Sequence, residues 1–325
     1  MIQAAAPLTP ASAPQKGPDF VHTPPQGGYV WWYLDAFSDD GDLGLTVIAF
    51  IGSVFSPYYA HTRRKGRGDP RAHVALNVAL YGKPGARWSM TERGAQALEQ
   101  NKERLVIGPS ALHWRNDTLE IDIDEICMPI PRRIRGRIRL HPEHMPAMRY
   151  ALDDAAAHWW QPIAPRARVE VDLEHPHLRW SGTGYMDSNT GEIPLEYSFS
   201  DWDWSRAAAS GGDSLVVYQV RQVDGGTRNL ALHFRRDGAV EAFDAPPPRP
   251  LPGALWGIGG ASCLDHEQPV RVVSRLEDTP FYSRTRLSGV LAGRPVEVMH
   301  ESLSLERFKQ RWVQMLLPFR MPRRP

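Results

Sequence analysis

The feature that most restricts this chain is a strict period of two. In TLEIDIDEI, Leu119, Ile121 and Ile123 alternate with Glu120, Asp122 and Asp124; in RIRGRIRLH, Ile134, Ile138 and Leu140 alternate with Arg133, Arg135, Arg137 and Arg139. Successive side chains of a strand point to opposite faces, so each segment reads as an antiparallel strand buried on one side and wet on the other. The arginine row suits a place across from the acidic row of a neighbouring strand. RVEVDLEH repeats the alternation.

Further strands are read in WWYLDAF, LGLTVIAF, HVALNVALYG, SLVVYQVRQV, TRNLALHFRR, PVRVVSRLED and PVEVMHESLSL, parted by turn pairs such as Asp40-Gly41, Gly225-Gly226 and Asp237-Gly238. Strands at this spacing, without helical patterns between them, define an all-β sandwich or barrel. Helical signal is confined to MTERGAQALEQNKERL, MRYALDDAAAHWW and SLERFKQRWVQMLL, so helices should be few and short. The proline-rich DAPPPRPLPGALWG has strand-like sequence on both sides and reads as a long loop. The expected organisation is a Pro/Ala-rich tail over 1–26, a β domain over 27–200 and a second over 201–325.

A chain of 325 residues with 42% hydrophobic composition can bury one large core or two modest ones. Its net charge of +1 gives no electrostatic reason to expect a nucleic-acid partner. Cys127 and Cys263 form no CxxC pair, which argues against a disulfide framework or a zinc site and for a reducing compartment. The N-terminal stretch lacks the basic and apolar regions of a secretory signal, and no window approaches the ~20 apolar residues of a spanning helix. A cytoplasmic location is expected.

Familiar catalytic signatures are missing: there is no P-loop and no GxSxG, and GIGGAS lacks the βαβ setting of a dinucleotide site. HPEHM and HPH bring histidines together without an HExxH helix or an acidic third ligand, so no metal site is assigned. The informative stretch is HLRWSGTGYMDSNTGEIPLEYSFSDWDWSR. Tyr185 and Asp187 lie two residues apart and share a face of an extended strand, while Gly182 and Gly184 leave room on the other. His158 and Trp160 have the same spacing if their segment is a strand. Two readings of Asp187 stand at this point: a carboxyl set among aromatics for chemistry, or a turn-capping aspartate before SNTG beside a core tyrosine.

GGYVWWYLDAFSDDGDLGLTVIAFIGSVFSPYYA, HWWQPIAPRARVEVDL, RWSGTGYMDSNTGEIPLEYSFSDWDWSRA and the terminal RWVQMLLPFRMPRRP together resemble the carotenoid 1,2-hydratases, also called hydroxyneurosporene synthases. The resemblance covers nearly the whole chain after the N-terminal tail. It implies two lipocalin-like antiparallel β halves and cofactor-free addition of water to the terminal C1–C2 double bond of acyclic carotenoids. It also implies that the His-x-Trp and Tyr-x-Asp pairs, His158, Trp160, Tyr185 and Asp187, are catalytic, with Asp187 as the acid. Trp32, Trp180, Trp202 and Trp204, in or beside the same motifs, are expected to bind the polyene.

Hydration of a trisubstituted alkene begins with proton delivery to the less substituted carbon, and water then captures the tertiary carbocation. An exposed carboxyl is ionised at neutral pH, whereas burial among aromatics favours the protonated donor. Since such a substrate dissolves in bilayers, peripheral contact with the inner or photosynthetic membrane is expected, with LLPFRMPRRP as the candidate segment. Two other classes compete: a lipocalin-like carrier of a long apolar ligand, which would bind without consuming water, and a carbohydrate-binding sandwich, which would respond to glycans.

Overall fold

The computed structural model describes residues 10–13, 16–83, 85–209, 211–258, 260–266 and 269–324. They divide into two units, the first formed by 10–151, 155–194 and 314–325, the second by 152–154 and 195–313. Of the expected tail, residues 1–9, 14 and 15 lie outside the described residues. Within it, β1 (Pro10–Ser12) pairs with a later strand, and Phe20 is fully buried.

The first unit continues with β2 (Tyr29–Ser38), β3 (Gly44–Ile51), β4 (Val74–Tyr81), β5 (Arg87–Arg93), β6 (Leu98–Gln100), β7 (Arg104–Ile107) and β8 (Ser110–Arg115). It ends with β9 (Thr118–Ile126), β10 (Arg133–Pro142), β11 (Met148–Ala151), β12 (His158–His175) and β13 (Leu178–Gly191). Their antiparallel sheet runs β5-β4-β3-β2-β13-β12-β10-β9-β8-β7-β6 and curls into a half-barrel of lipocalin-like type. The alternating segments pair as their patterns require: Arg135 lies opposite Asp124, Arg137 opposite Asp122 and Arg139 opposite Glu120. Arg137 and Arg139 bond those carboxylates at 2.8 and 2.9 Å, and Arg133 reaches Asp124 at 2.7 Å. The opposite faces supply Ile121, Ile138, Val169 and Val171 to an apolar interior shared with Val30, Leu34, Val47 and Leu76.

β2, β3 and β4 do not alternate, being buried on both faces over almost their whole length. That explains their near-continuous apolar sequence. Gly182 and Gly184 serve close approach: a Cβ on the first would fall 1.9 Å from the Phe37 carbonyl oxygen, and on the second 2.4 Å from Val169.

The second unit carries β14 (Phe199–Ala209), β15 (Ser214–Gln222), β16 (Thr227–Phe234), β17 (Val240–Ala242), β18 (Arg249–Pro250) and β19 (Ala261–Ser262). β20 (Arg271–Asp278), β21 (Tyr282–Leu291) and β22 (Arg294–Ser304) complete it. One antiparallel sheet runs β17-β16-β15-β14-β22-β21-β20, and the short β18–β19 pair lies within the proline-rich loop region. Its apolar core is joined by a buried polar chain. Ser205 bonds His300 at 2.8 Å, His300 bonds Ser302 at 3.0 Å, and Ser302 donates to Asp203 at 2.6 Å.

The helices are α1 (Pro57–Arg64), α2 (Leu195–Ser198), α3 (Leu305–Phe308) and α4 (Arg311–Leu316). α1 starts at Ser56, whose hydroxyl accepts from the Tyr58 and Tyr59 amides. Only the last of the three helical readings finds α-helices, and the first keeps just a 3-10 turn at Ala95–Ala97. MTERGAQALEQNKERL ends β5 and forms β6 and β7, because Gly94 interrupts it and edge pairing outweighs propensity. MRYALDDAAAHWW becomes β11, a turn and the start of β12, where Trp159 and Trp160 pair across the sheet. Among the described residues no helix is long and apolar enough to cross a membrane.

Candidate functional site

β13 lies between β2 and β12, and the register of these three strands builds the site. Tyr185, Asp187, Asn189 and Gly191 of β13 stand opposite Asp35, Tyr33, Trp31 and Tyr29 of β2. On the other side, Asp187, Asn189 and Gly191 stand opposite Pro162, Trp160 and His158 of β12. Directly opposed residues share a face, so all eleven side positions belong to one surface, the side of the sheet away from Val30, Leu34, Val169 and Met186. β12 bulges between Pro162 and Ala164 and again before Ala167. Bulges of this kind bend a strand and re-aim its side chains.

Asp187 is 3% exposed and accepts two hydrogen bonds on Oδ2, from the Trp160 indole N–H at 2.7 Å and from the Tyr185 hydroxyl at 2.8 Å. Hydrogen bonds to a charged acceptor contribute about 1.5–3 kcal/mol each when buried, which offsets part of the cost of taking a carboxyl out of water. Trp160 and Tyr185 are themselves fully buried. Burial, then the charge of Asp187 and the hydrogen bond to it, push the Tyr185 phenol well above its usual value, so Tyr185 remains a donor. Tyr33 meets Tyr185 edge-on with ring centroids 6.2 Å apart, and Tyr150 lies 5.6 Å from Trp160.

At the far end of this surface His158 is fully buried, and its Nδ1 lies 2.9 Å from the Tyr29 hydroxyl. Burial lowers its pKa to about 4, so the ring is neutral at neutral pH.

The structure thus brings His158, Trp160, Tyr185 and Asp187 onto one face. The strand continues through SNTG to Gly191, which makes Asp187 a mid-strand residue rather than a turn cap. Of the expected binding tryptophans in the same unit, Trp32 and Trp180 do not stand on this face. Trp32 points to the opposite face, packs at 5.2 Å against Phe20 and lines a small cavity of about 50 Å³ with Asp19, Arg149 and Ser188. Trp180 packs against the apolar interior. Trp202 and Trp204 belong to the second unit, Trp202 against Phe199 and Tyr218. The aromatic residues of β2 on the Asp187 face are instead Tyr29, Trp31 and Tyr33, accompanied by Asp35 and Asn189, both buried. Among the described residues no group of three His, Cys, Asp or Glu side chains is placed to hold a metal ion.

The site is thus a buried carboxyl, held by two donors in an aromatic wall, on an all-β, lipocalin-like sheet. Residues 47–325 match the family described as carotenoid hydratase CrtC, and the chain belongs to that family. It is 55% identical over 313 residues to an acyclic carotenoid 1,2-hydratase of Thiocapsa roseopersicina, covering 96% of this chain and 77% of the relative. It is 48% identical over 309 residues to the acyclic carotenoid 1,2-hydratase of Rubrivivax gelatinosus, covering 94% and 76%. A crystal structure of an AttH protein from Nitrosomonas europaea has the same fold, with a TM-score of 0.61 at 16% identity over 92% of this chain and 98% of that one.

Proposed function

We propose that this chain is an acyclic carotenoid 1,2-hydratase, adding water across the terminal C1–C2 double bond of neurosporene- or lycopene-type substrates. The observation that carries the reading is the Asp187 carboxyl, buried and held by Trp160 and Tyr185 in a chain of this family. Burial disfavours the charged carboxylate, and the two donors stabilise the anion once it forms. Because both donors use Oδ2, the transferable proton is on Oδ1. The π electrons take that proton at C2, leaving a tertiary cation at C1; water adds there and loses a proton, giving the tertiary alcohol. The faces of Trp160, Tyr185 and Tyr33 contribute roughly 0.5–2 kcal/mol each toward a nearby cation. Preorganisation of the carboxyl supplies a larger share. His158, neutral at neutral pH, is suited to take the water proton.

The substrate resides in bilayers, and α4 with the turn after it is suited to reach one. Val313, Leu317 and Met321 are buried, whereas Trp312, Met315, Leu316 and Phe319 are exposed, Met315 by 74% and Phe319 by 69%. Arg311, Arg320 and Arg324 are exposed among them. A segment apolar on both sides and fringed by arginines matches the interface of an anionic membrane. The protein then works in the cytoplasm, at the surface of the inner or photosynthetic membrane.

The decisive experiment incubates purified protein with lycopene or neurosporene, without nucleotide or metal, and reads the carotenoid mass. Gain of one water is expected. Polyene bound and recovered unchanged would make the chain a carrier.

A further inference from the structure

We infer that Tyr29 is a positioning residue that sets His158 as the acceptor of the water proton, with Gly191 present to let the two side chains meet. The inference rests on the hydratase reading above. His158 and Tyr29 are on strands that are not neighbours: β12 and β2 flank β13, and Gly191 stands opposite His158 on one side and Tyr29 on the other. Their side chains join over that glycine. A Cβ at Gly191 would fall 2.3 Å from Tyr29 Cε1, 2.6 Å from Cζ and 2.7 Å from His158 Nδ1. No positive φ accounts for a glycine at this position, since Gly191 is absent from the left-handed residues. The space it leaves is used by the hydrogen bond.

Both rings are fully buried, lie at 25° to each other with centroids 5.8 Å apart, and are steadied by Trp31, which stacks on Tyr29 at 4.9 Å. Which imidazole nitrogen keeps its lone pair is set by the bond the other one makes. The contact between Nδ1 and the Tyr29 hydroxyl fits either direction; we assign the tautomer in which Nδ1–H donates to the phenolic oxygen, which leaves the lone pair on Nε2. Burial keeps the ring unprotonated. Along β13 the acid and this base are four residues apart, about 13 Å between backbone positions, with Trp160 at the step between them.

The proton account closes. Asp187 loses its proton to C2 and becomes a carboxylate; a water lone pair forms the C1–O bond; Nε2 of His158 takes a proton from that oxygen, leaving a neutral alcohol and an imidazolium. The imidazolium returns its proton to Asp187 through water, and one water is consumed per turnover.

The test separates protonation from capture. Wild type, Tyr29→Phe, His158→Gln and Gly191→Ala are given lycopene in D2O, and both the hydrated product and deuterium in recovered lycopene are measured by mass. With the capture step impaired, the cation still forms but falls back by losing a proton, so hydration drops about tenfold for Tyr29→Phe and 10²-fold or more for His158→Gln, while deuterium incorporation per molecule recovered persists or rises. Tyr29→Phe keeps the ring that stacks on Trp31, and its folding is checked by circular dichroism. Hydration at wild-type rate in Tyr29→Phe, or hydration and deuterium incorporation falling together in Tyr29→Phe and His158→Gln, overturns the inference. A wild type that gains no water would instead overturn the hydratase reading itself.

Discussion

Trp160 and Asp187 meet across neighbouring strands, with the indole N–H 2.7 Å from the oxygen to which Tyr185 also donates. One oxygen of the carboxyl is thereby fixed by two donors that cannot take its proton. The group can pivot little, and in the proposed reaction its proton leaves from the other oxygen.

Asp187→Asn keeps the size and an acceptor oxygen but removes the transferable proton. Hydration should fall by 10²–10⁴-fold with the polyene still bound. A folded variant that hydrates lycopene at near wild-type rate would move the acid elsewhere, and Asp35, fully buried on the same face opposite Tyr185, is the next residue to replace.

Trp160→Phe and Tyr185→Phe each retain an aromatic face while deleting one donor to Oδ2. Loss of a buried hydrogen bond to a charged group costs about 1.5–3 kcal/mol, so kcat should drop roughly 10–100-fold in each. A loss in KM alone would indicate that the rings only shape the pocket.

Two buried groups give opposite pH signatures. His158 is lowered from 6.5 to about 4 by burial, so its contribution to stability is present above pH 6.5 and is lost as pH falls through about 4. Thermal unfolding of His158→Gln should therefore show less acid-side loss in that window. Asp203 is raised from 3.8 to about 6, chiefly by burial, so its contribution is present below pH 3.8 and lost as pH rises through about 6. Asp203→Asn should stabilise the second unit at pH 8 by roughly 1–3 kcal/mol and do little at pH 4. Parallel pH profiles for variant and wild type would contradict either assignment.

Hydration involves no net redox change, and activity should survive dialysis against EDTA. Loss restored by a divalent ion would point to a metal-bound water as the nucleophile.

Phe319→Glu with Met315→Glu should weaken flotation with anionic liposomes and slow turnover of liposome-borne carotenoid, while leaving turnover of detergent-dispersed carotenoid unchanged. Equal flotation of variant and wild type would discard α4 and its following turn as the membrane contact.

The half-buried strands were legible because one face is wet: β9, β10 and the later part of β12 announce their register through alternating charge. The shared face of Tyr185 and Asp187 follows from the same period. β2 hides its orientation. Its YVWWYLDAF run is buried on both sides, so nothing local tells whether Trp31 or Trp32 looks toward Asp187, and the expectation fell on Trp32. Tyr29, Tyr33 and Asp35 enter the site only through pairing of β2 with β13, some 150 residues later in the chain. That pairing has no signature within either segment. The spacing of His158 and Trp160 is ambiguous in sequence for a related reason, since an alanine-rich approach resembles a helix until the sheet claims it.

β3 and β4 are buried throughout, and β2 and the Tyr185–Asn189 part of β13 nearly so. Amides in such strands exchange with solvent only when much of the surrounding unit opens. The amides around Asp187 are therefore expected in the slowest-exchanging set of the described residues. A long, stiff polyene has to be admitted without parting these strands. Deuterium uptake should locate its gate among the fast-exchanging turns and loops, on a clock separate from that of the acid it leads to.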